Sequence, residues 1–129
     1  MSLRVLIVDD SASFRDAARA VLQREGACVL GVASTTAEAL REAERLIPDV
    51  VLVDITLGEE SGFELARRLA EESGDCDCAV VLISTHAEAD FADLIAESPA
   101  AAFLAKSALS ASALRGILDG DPPRDPSRR

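Results

Sequence analysis

Five short apolar runs, each followed by a segment with helical periodicity, constrain the fold of this 129-residue chain more than any other feature. The runs are mostly continuous rather than alternating, which is typical of strands buried on both faces of a parallel sheet. They comprise Val5–Val8, Cys28–Ala33, Val50–Val53, Ala79–Ile83 and Ala101–Ala105. Strands that alternate with helices pair in parallel through right-handed crossovers. The sequence therefore predicts an α/β fold, a (βα)5 sandwich with helices on both faces of one sheet.

The segments between these runs repeat apolar residues at three- and four-residue intervals, as amphipathic helices do. Three of them start with a hydroxyl residue followed three positions later by a glutamate, which is the spacing of a capping box. These pairs are Thr35 with Glu38, Ser61 with Glu64, and Thr85 with Glu88. The end of the chain contains three prolines and no apolar stripe. We therefore expect one domain over residues 1–119 and a disordered tail or linker remnant over residues 120–129.

Composition excludes several classes of function. The 23 acidic and 13 basic residues give a formal net charge of −10, which argues against a nucleic-acid surface. No apolar run approaches the ~20 residues of a membrane span, and the start MSLRVLIVDD lacks signal-peptide anatomy. A soluble cytoplasmic protein is expected. The three cysteines do not suggest disulfides, and Cys76 and Cys78 with the single His86 are too few for a structural zinc site.

Polar side chains stand at the carboxyl ends of four of the five predicted strands. Asp9 and Asp10 follow the first strand and Asp54 follows the third, while Ser84 follows the fourth and Lys106, the only lysine, follows the fifth. Ligands of open parallel α/β sheets bind at this edge. Each of these residues alone is also explained by a structural role, as a turn residue, a helix cap or a solvated charge. Together they predict a functional site.

Three carboxylates at one edge repel each other by roughly 4 kcal/mol per close pair at an effective dielectric constant of 20. Lys106 and a divalent metal are the candidates to compensate this charge. Oxygen ligands suit Mg²⁺, with Mn²⁺ as an alternative ion. Lys106 and Ser84 can contact phosphoryl oxygens, and this leaves Asp54 as a nucleophile that forms an aspartyl phosphate.

The segments LIVDD, VLVDITLGEESGFEL, VVLIST and AFLAKS resemble, in order and spacing, the motifs of the receiver domain of two-component response regulators. The resemblance covers about Leu3 to Leu118. It implies a flavodoxin-like receiver fold with strand order 2-1-3-4-5. It also implies that Asp9, Asp10, Asp54 and the backbone carbonyl of Thr56 hold Mg²⁺. Asp54 would accept a phosphoryl group from a phosphohistidine on a sensor histidine kinase or a phosphotransfer protein.

The resemblance further implies that Ser84 and Phe103 form a switch pair, and that Lys106 contacts the phosphoryl group. The output face would map onto Glu88 to Leu118, where it would bind an unidentified downstream protein or form a phosphorylation-dependent homodimer. The chain would then catalyse only its own phosphorylation and dephosphorylation, and would not be an enzyme for external substrates.

Three segments depart from the family pattern. Ser107 follows Lys106 where relatives usually have a proline joined by a cis bond, so the geometry of the Lys106–Ser107 bond stays open. Thr85 replaces a usual Ala or Gly, and Gly58 with Glu59 replaces a commoner Pro-Gly. We expect Thr85, together with Thr56, to modulate access to the acyl phosphate, so that the bulky Thr85 slows both loading and loss of phosphate.

Two other functions are compatible with parts of the sequence. The chain could be the receiver part of a longer DNA-binding transcriptional regulator, whose linker would begin in the Pro-rich tail. A Mg²⁺-dependent phosphohydrolase ranks far below this, because such enzymes commonly carry a second acid where this chain has Thr56. They also usually carry a lid, and no segment is long enough to form one.

Overall fold

The computed structural model describes residues 3–72, 78–85 and 91–118. Five strands form the main sheet: β1 (Arg4–Val8), β2 (Cys28–Ala33), β3 (Val50–Asp54), β4 (Ala79–Ser84) and β5 (Ala102–Ala105). The helices are α1 (Ala12–Arg24), α2 (Thr36–Leu46), α3 (Gly62–Glu72), α4 (Ala92–Glu97) and α5 (Ala111–Leu118). The predictions for Cys76, His86, Glu88 and the tail 120–129 concern residues outside those described.

All pairings in the main sheet are parallel, and the strand order is β2-β1-β3-β4-β5. This confirms the expected (βα)5 fold with its order 2-1-3-4-5. The sequence did not predict a separate two-stranded antiparallel hairpin, in which Thr56–Leu57 pairs with Glu60–Ser61. The hairpin occupies the connection between β3 and α3, directly beside the end of the central strand.

Two hydrophobic clusters lie on opposite faces of the sheet, because successive strand residues point to opposite sides. One contains Leu6 and Val8 of β1 with residues of α2 and α3, and we call it the α2–α3 cluster. The other contains Val5 and Ile7 with residues of α1 and α5, and we call it the α1–α5 cluster. Helices therefore cover both faces, as expected.

Burial on both faces, expected for every strand, holds only in the middle of the sheet. The residues of β3 are all buried, as are those of β1 after Arg4 and those of β4 after Ala79. In β2 only Ala33 is buried, and all four residues of β5 are half-buried. The expectation was wrong for these two strands because both are sheet edges, where one side has no neighbouring strand.

The predicted capping boxes form only in part. The Thr35 hydroxyl accepts the Glu38 N–H, but the Glu38 carboxylate accepts from the N–H and hydroxyl of Ser34 instead of from Thr35. The Ser61 hydroxyl accepts the Glu64 N–H at 3.4 Å. The Glu64 carboxylate pairs with Arg67 on the next turn. In both cases the hydroxyl caps the helix, and the carboxylate takes a nearer polar partner.

No helix within the described residues combines the length and the apolar character needed to cross a membrane.

Candidate functional site

The register of the sheet brings the predicted site residues to one edge. Val8 lies opposite both Ala33 and Val53, Asp54 lies opposite Ile83, and Ser84 lies opposite Ala105. The strands therefore end nearly level, and the residues that follow them meet above the carboxyl edge. The positions of Asp9, Asp54, Ser84 and Lys106 follow from this alignment.

Three aspartates form a compact acidic cluster at this edge. Carboxylate oxygens of Asp9, Asp10 and Asp54 all lie within 4.8 Å of one another. Asp9 is fully buried and Asp54 is 8% exposed, whereas Asp10 is open to solvent. Backbone amides fix the two buried carboxylates, since Asp9 Oδ1 accepts the Ser11 N–H at 2.8 Å and Asp54 Oδ1 accepts the Thr56 N–H at 3.1 Å.

Lys106 bridges the two buried carboxylates. Its Nζ lies 2.6 Å from Asp9 Oδ2 and donates a 3.1 Å hydrogen bond to Asp54 Oδ2. The contact with Asp9 is an ion pair, because Asp9 Oδ2 makes no hydrogen bond of good geometry within the described residues. Only 14% of the Lys106 side chain is exposed, so solvent screens this charge less than it screens a charge on the surface.

Burial and charge shift the pKa values of the two partners. Burial raises the pKa of the Asp54 carboxyl, and the charge of Asp9 adds to the rise, while the Thr56 N–H and Lys106 oppose it. Burial alone would lower the pKa of Lys106, but its close contacts with the negative charges of Asp9 and Asp54 outweigh burial and raise it. The ammonium thus stays charged, and the Asp54 carboxylate is a stronger base than a solvated one. These are suitable properties for a nucleophile beside a fixed cation.

The donor set fits a small divalent cation. It consists of three carboxylates, which are the hard oxygen ligands that Mg²⁺ prefers. The exposure of Asp10 leaves the cluster open to solvent on one side, as an ion that keeps several waters requires. Asp9, Asp10 and Asp54 could therefore hold a metal ion. The part assigned to the Thr56 carbonyl stays a prediction.

The other predicted residues lie near the cluster or on its rim. Ser84 is 2% exposed at the end of β4, next to the Asp54 strand. Phe103 is half-buried in β5 and packs against the α2–α3 cluster. Thr56 and Thr85 are exposed. The structure thus brings Asp9, Asp10, Asp54 and Lys106 into contact distance, while the roles of the other four residues remain predictions.

The chain after Lys106 answers the question that Ser107 left open. Within the described residues there is no cis peptide bond, so the Lys106–Ser107 bond is trans. Lys106–Ala108 form one turn of 3-10 helix, and the Leu109 N–H donates to the Lys106 carbonyl at 3.4 Å.

Two residues of α1 contact the site although the sequence did not point to them. The Phe14 ring lies under the Lys106 ammonium, with Nζ 4.3 Å from the ring centroid. Arg15 Nη1 donates to the backbone carbonyl of Asp9 at 2.6 Å. Phe14 was assigned only to the apolar stripe of its helix, and no spacing rule marks Arg15. The available signal was their position, one helical turn after a strand end that carries two acids.

A glycine allows the loop after Asp54 to fold back on itself. A Cβ at Gly62 would lie 2.1 Å from the Asp54 backbone carbonyl oxygen, so no other residue fits without moving the backbone. The Gly62 N–H donates to the Ile55 carbonyl at 2.9 Å, and this closes the hairpin.

Known proteins are similar to this chain in sequence. The family model "Response regulator receiver domain" matches residues 5–118. A putative transcriptional regulator of Pseudomonas aeruginosa is 34% identical over 80% of this chain and 49% of its own length. The response regulator GacA of Pseudomonas viridiflava is 32% identical over 89% of this chain and 53% of its own length. The chain thus spans about half the length of these curated relatives.

Solved structures agree with the sequence relatives. The signal receiver domain of the putative response regulator NarL from Mycobacterium tuberculosis superposes with a TM-score of 0.77 at 28% identity. The match covers 93% of this chain and 96% of that domain. With the acidic cluster and its lysine at the carboxyl edge of a 2-1-3-4-5 sheet, this protein belongs to the family of response regulator receiver domains.

Proposed function

We propose that Asp54 accepts a phosphoryl group from a phosphohistidine of a sensor histidine kinase or a phosphotransfer protein, in a reaction that depends on Mg²⁺. The observation that carries this proposal is the contact of the Lys106 ammonium with both buried carboxylates. A cation fixed beside a nucleophile whose pKa is raised suits phosphoryl transfer, which depends mainly on positioning and charge neutralisation.

In the transfer step a carboxylate oxygen of Asp54 attacks phosphorus. The P–O bond to Asp54 forms as the P–N bond to the donor imidazole breaks, and the imidazole nitrogen keeps the electron pair and takes up a proton. The Thr56 N–H and Lys106 hold the two carboxylate oxygens from different sides, which orients the nucleophile before the donor arrives. In dephosphorylation a water attacks phosphorus, which returns the carboxylate and releases inorganic phosphate.

Asp9, Asp10, Asp54 and the Thr56 carbonyl would hold Mg²⁺, or Mn²⁺ as an alternative. The ion supplies neutralisation of the negative charge on the phosphoryl oxygens. Lys106 would supply a second positive charge beside Asp54. Asp10 is the exposed member of the cluster.

The response to phosphorylation would begin at Ser84 and Phe103. The Ser84 hydroxyl would turn toward the phosphoryl group, and the half-buried Phe103 ring would move inward to fill the space. The output face around α4, β5 and α5 would then bind a downstream protein or a second copy of the chain. Neither nucleic acid nor a membrane would bind this domain directly.

The domain of residues 1–119 would act only on itself, in the cytoplasm, and residues 120–129 would serve as a tail or linker. Because the chain spans about half the length of curated relatives, it would also suit the receiver part of a longer transcriptional regulator. An enzyme for external phosphate esters stays far less favoured, because Thr56 occupies the position of a second acid.

Intact mass measurement after incubation with Mg²⁺ and acetyl phosphate tests the assignment. We expect one phosphate-sized gain in mass that chelator prevents and that Asp54→Asn abolishes. The matched control is Asp49→Asn, because Asp49 directly precedes the same strand at its other end and pairs with Arg4. This substitution should not affect phosphorylation. Stoichiometric labelling of Asp54→Asn would overturn the site, and multiple turnover of free phosphate esters would favour the hydrolase.

The role of Thr85 is tested by the lifetime of the acyl phosphate. Thr85 is exposed and follows Ser84 directly at the end of β4. We expect Thr85→Ala to shorten the lifetime because water reaches the phosphorus more easily. An unchanged or longer lifetime would contradict an access role.

A further inference from the structure

We propose that Phe14 is a positioning residue for the reaction, and that the face of its ring holds the Lys106 ammonium in place between Asp9 and Asp54. The Lys106 Nζ lies 4.3 Å from the centroid of the Phe14 ring, which is within the range of a cation–π contact. Phe14 is half-buried and also packs against the α1–α5 cluster. The ring is therefore held by the core while its face contacts the ammonium. This inference rests on the proposed function.

The ring supplies attraction without adding charge to a site that is already strongly acidic. Three carboxylates lie within 4.8 Å of one another, and a fourth carboxylate placed beside Lys106 would increase their repulsion. An aromatic face attracts a cation through its quadrupole and carries no net charge. Only 14% of the Lys106 side chain is exposed. Cation–π attraction is stronger for a partly desolvated pair than for one in water, so burial of the lysine favours this contact.

The contact matters most when the partners of Lys106 change. Phosphorylation converts a carboxylate oxygen of Asp54 into the bridging oxygen of an acyl phosphate, and the ammonium must then contact the phosphoryl group as well. During this exchange the Lys106–Asp54 bond of 3.1 Å is remodelled, whereas the Phe14 ring remains in place. A ring below the ammonium thus limits where Nζ can go, so that it stays beside the reacting oxygens.

A spectroscopic test uses the fact that Lys106 is the only lysine of the chain. Protein labelled with ¹³C-lysine gives the side-chain signals of this residue alone, and protons above an aromatic face are shifted upfield by its ring current. We expect an upfield shift of the Lys106 ε protons in metal-free protein, lost in Phe14→Leu and kept in Phe14→Tyr. Absence of the shift in the unmodified protein would overturn the contact.

A kinetic double-mutant cycle tests the positioning role with Phe14→Leu, Lys106→Met and the double variant. We expect Phe14→Leu to lower the maximal rate of phosphorylation by acetyl phosphate roughly 3- to 30-fold, as the usual strength of such contacts implies. Phe14→Tyr should retain the rate within about twofold, because it keeps the aromatic face. In the Lys106→Met background, Phe14→Leu should have no further effect.

Two outcomes would overturn the proposal. An equal loss in the Lys106→Met background would mean that Phe14 acts through packing alone, and a normal rate in Phe14→Leu would mean that the ring is not needed. Unfolding curves show whether each variant is folded at the assay temperature. If Phe14→Leu is unfolded, a variant with fluorinated phenylalanine at position 14 is used in its place. Failure of acetyl phosphate to phosphorylate the unmodified protein would instead refute the proposed function. The NMR signals of Lys106 would still show whether the Phe14 contact exists.

Discussion

The two halves of the site are supported very differently by the sheet. The acids stand at the ends of β1 and β3, where Val5–Val8 and Val50–Val53 are all 0% exposed. Phe103 and Lys106 lie in β5 or directly after it, and every residue of that edge strand is only half-buried. The buried carboxylates of Asp9 and Asp54 are therefore anchored beside the tightest part of the core. The residues assigned to the response lie where packing leaves more freedom.

The largest effect should come from removing a side chain under the anchored half. Leu52 in β3 is 0% exposed, and Leu52→Ala should lower the free energy of unfolding by about 2–5 kcal/mol. Leu104 lies half-buried in β5, and Leu104→Ala should cost less than about 2 kcal/mol because less surface is lost. Urea unfolding of both variants measures the difference. Equal losses would show that the two halves are equally well packed.

A second prediction concerns the loop that follows the nucleophile. A Cβ at Gly62 would collide with the backbone carbonyl of Asp54, so Gly62→Ala should cost about 1–3 kcal/mol and displace the acceptor. The matched control is Gly116→Ala in α5, where a Cβ meets nothing within 4 Å and should stabilise the helix by about 0.5–1 kcal/mol. Unfolding and acetyl phosphate labelling check both. Normal labelling of Gly62→Ala would argue that the anchored half tolerates backbone shifts.

A third, smaller effect should follow loss of the Arg15 hydrogen bond to the Asp9 carbonyl. Arg15→Ala should cost about 1 kcal/mol, since the donor is charged and half-buried. It should also weaken Mg²⁺ binding by loosening the main chain that carries two of the acids. Arg19→Ala changes an exposed residue of the same helix and should alter neither property. Identical metal affinities in titration calorimetry would restrict Arg15 to a role in stability.

The last prediction separates charge from packing. Burial raises the pKa of Asp54 above its ordinary value of 3.8, so the folded state binds a proton more tightly than the unfolded state does. This tighter proton binding contributes fully to the free energy of unfolding below the ordinary pKa, and the contribution is lost as the pH rises through the raised pKa. The Asn side chain of Asp54→Asn does not ionise, so the variant does not lose stability in this way. In metal-free buffer this variant should therefore unfold at a higher temperature than the unmodified protein at neutral pH.

The pH dependence of that difference provides the control. The advantage of Asp54→Asn should grow from acid pH through the raised pKa and then stay constant up to pH values at which other groups titrate. A variant less stable than the unmodified protein at neutral pH would show that the Lys106–Asp54 bond outweighs the cost of burying the carboxylate.

Much of the site could be predicted because it depends on where strands end. Continuous apolar runs identify buried parallel strands, and parallel strands necessarily bring their carboxyl ends to one edge, so Asp9, Asp54 and Lys106 had to meet. Edge strands could not be told from central ones on that basis, and burial in β2 and β5 was overestimated.

The rest depends on long-range contacts that no local pattern encodes. The Glu60 carboxylate accepts the Thr36 N–H at 2.7 Å and links the hairpin to α2, and the Glu25 carboxylate accepts the Ala111 N–H at 2.6 Å at the start of α5. In the sequence, Phe14 is part of an ordinary amphipathic stripe. Only the folded structure shows that Lys106, at the end of β5, lies above its ring. Partner choice in these cases is decided by the packing of whole elements.

The presence of one ammonium among three carboxylates also couples the binding of a divalent ion to phosphorylation. With all groups ionised, three negative charges and one positive charge leave a formal charge of −2, which one divalent ion would balance. Phosphorylation adds further negative charge at Asp54 and should therefore increase the affinity for the ion. Linkage requires the reverse as well, so the ion must stabilise the phosphorylated form by the same factor. The equilibrium between the phosphorylated and unphosphorylated forms would then depend on the concentration of free divalent cation.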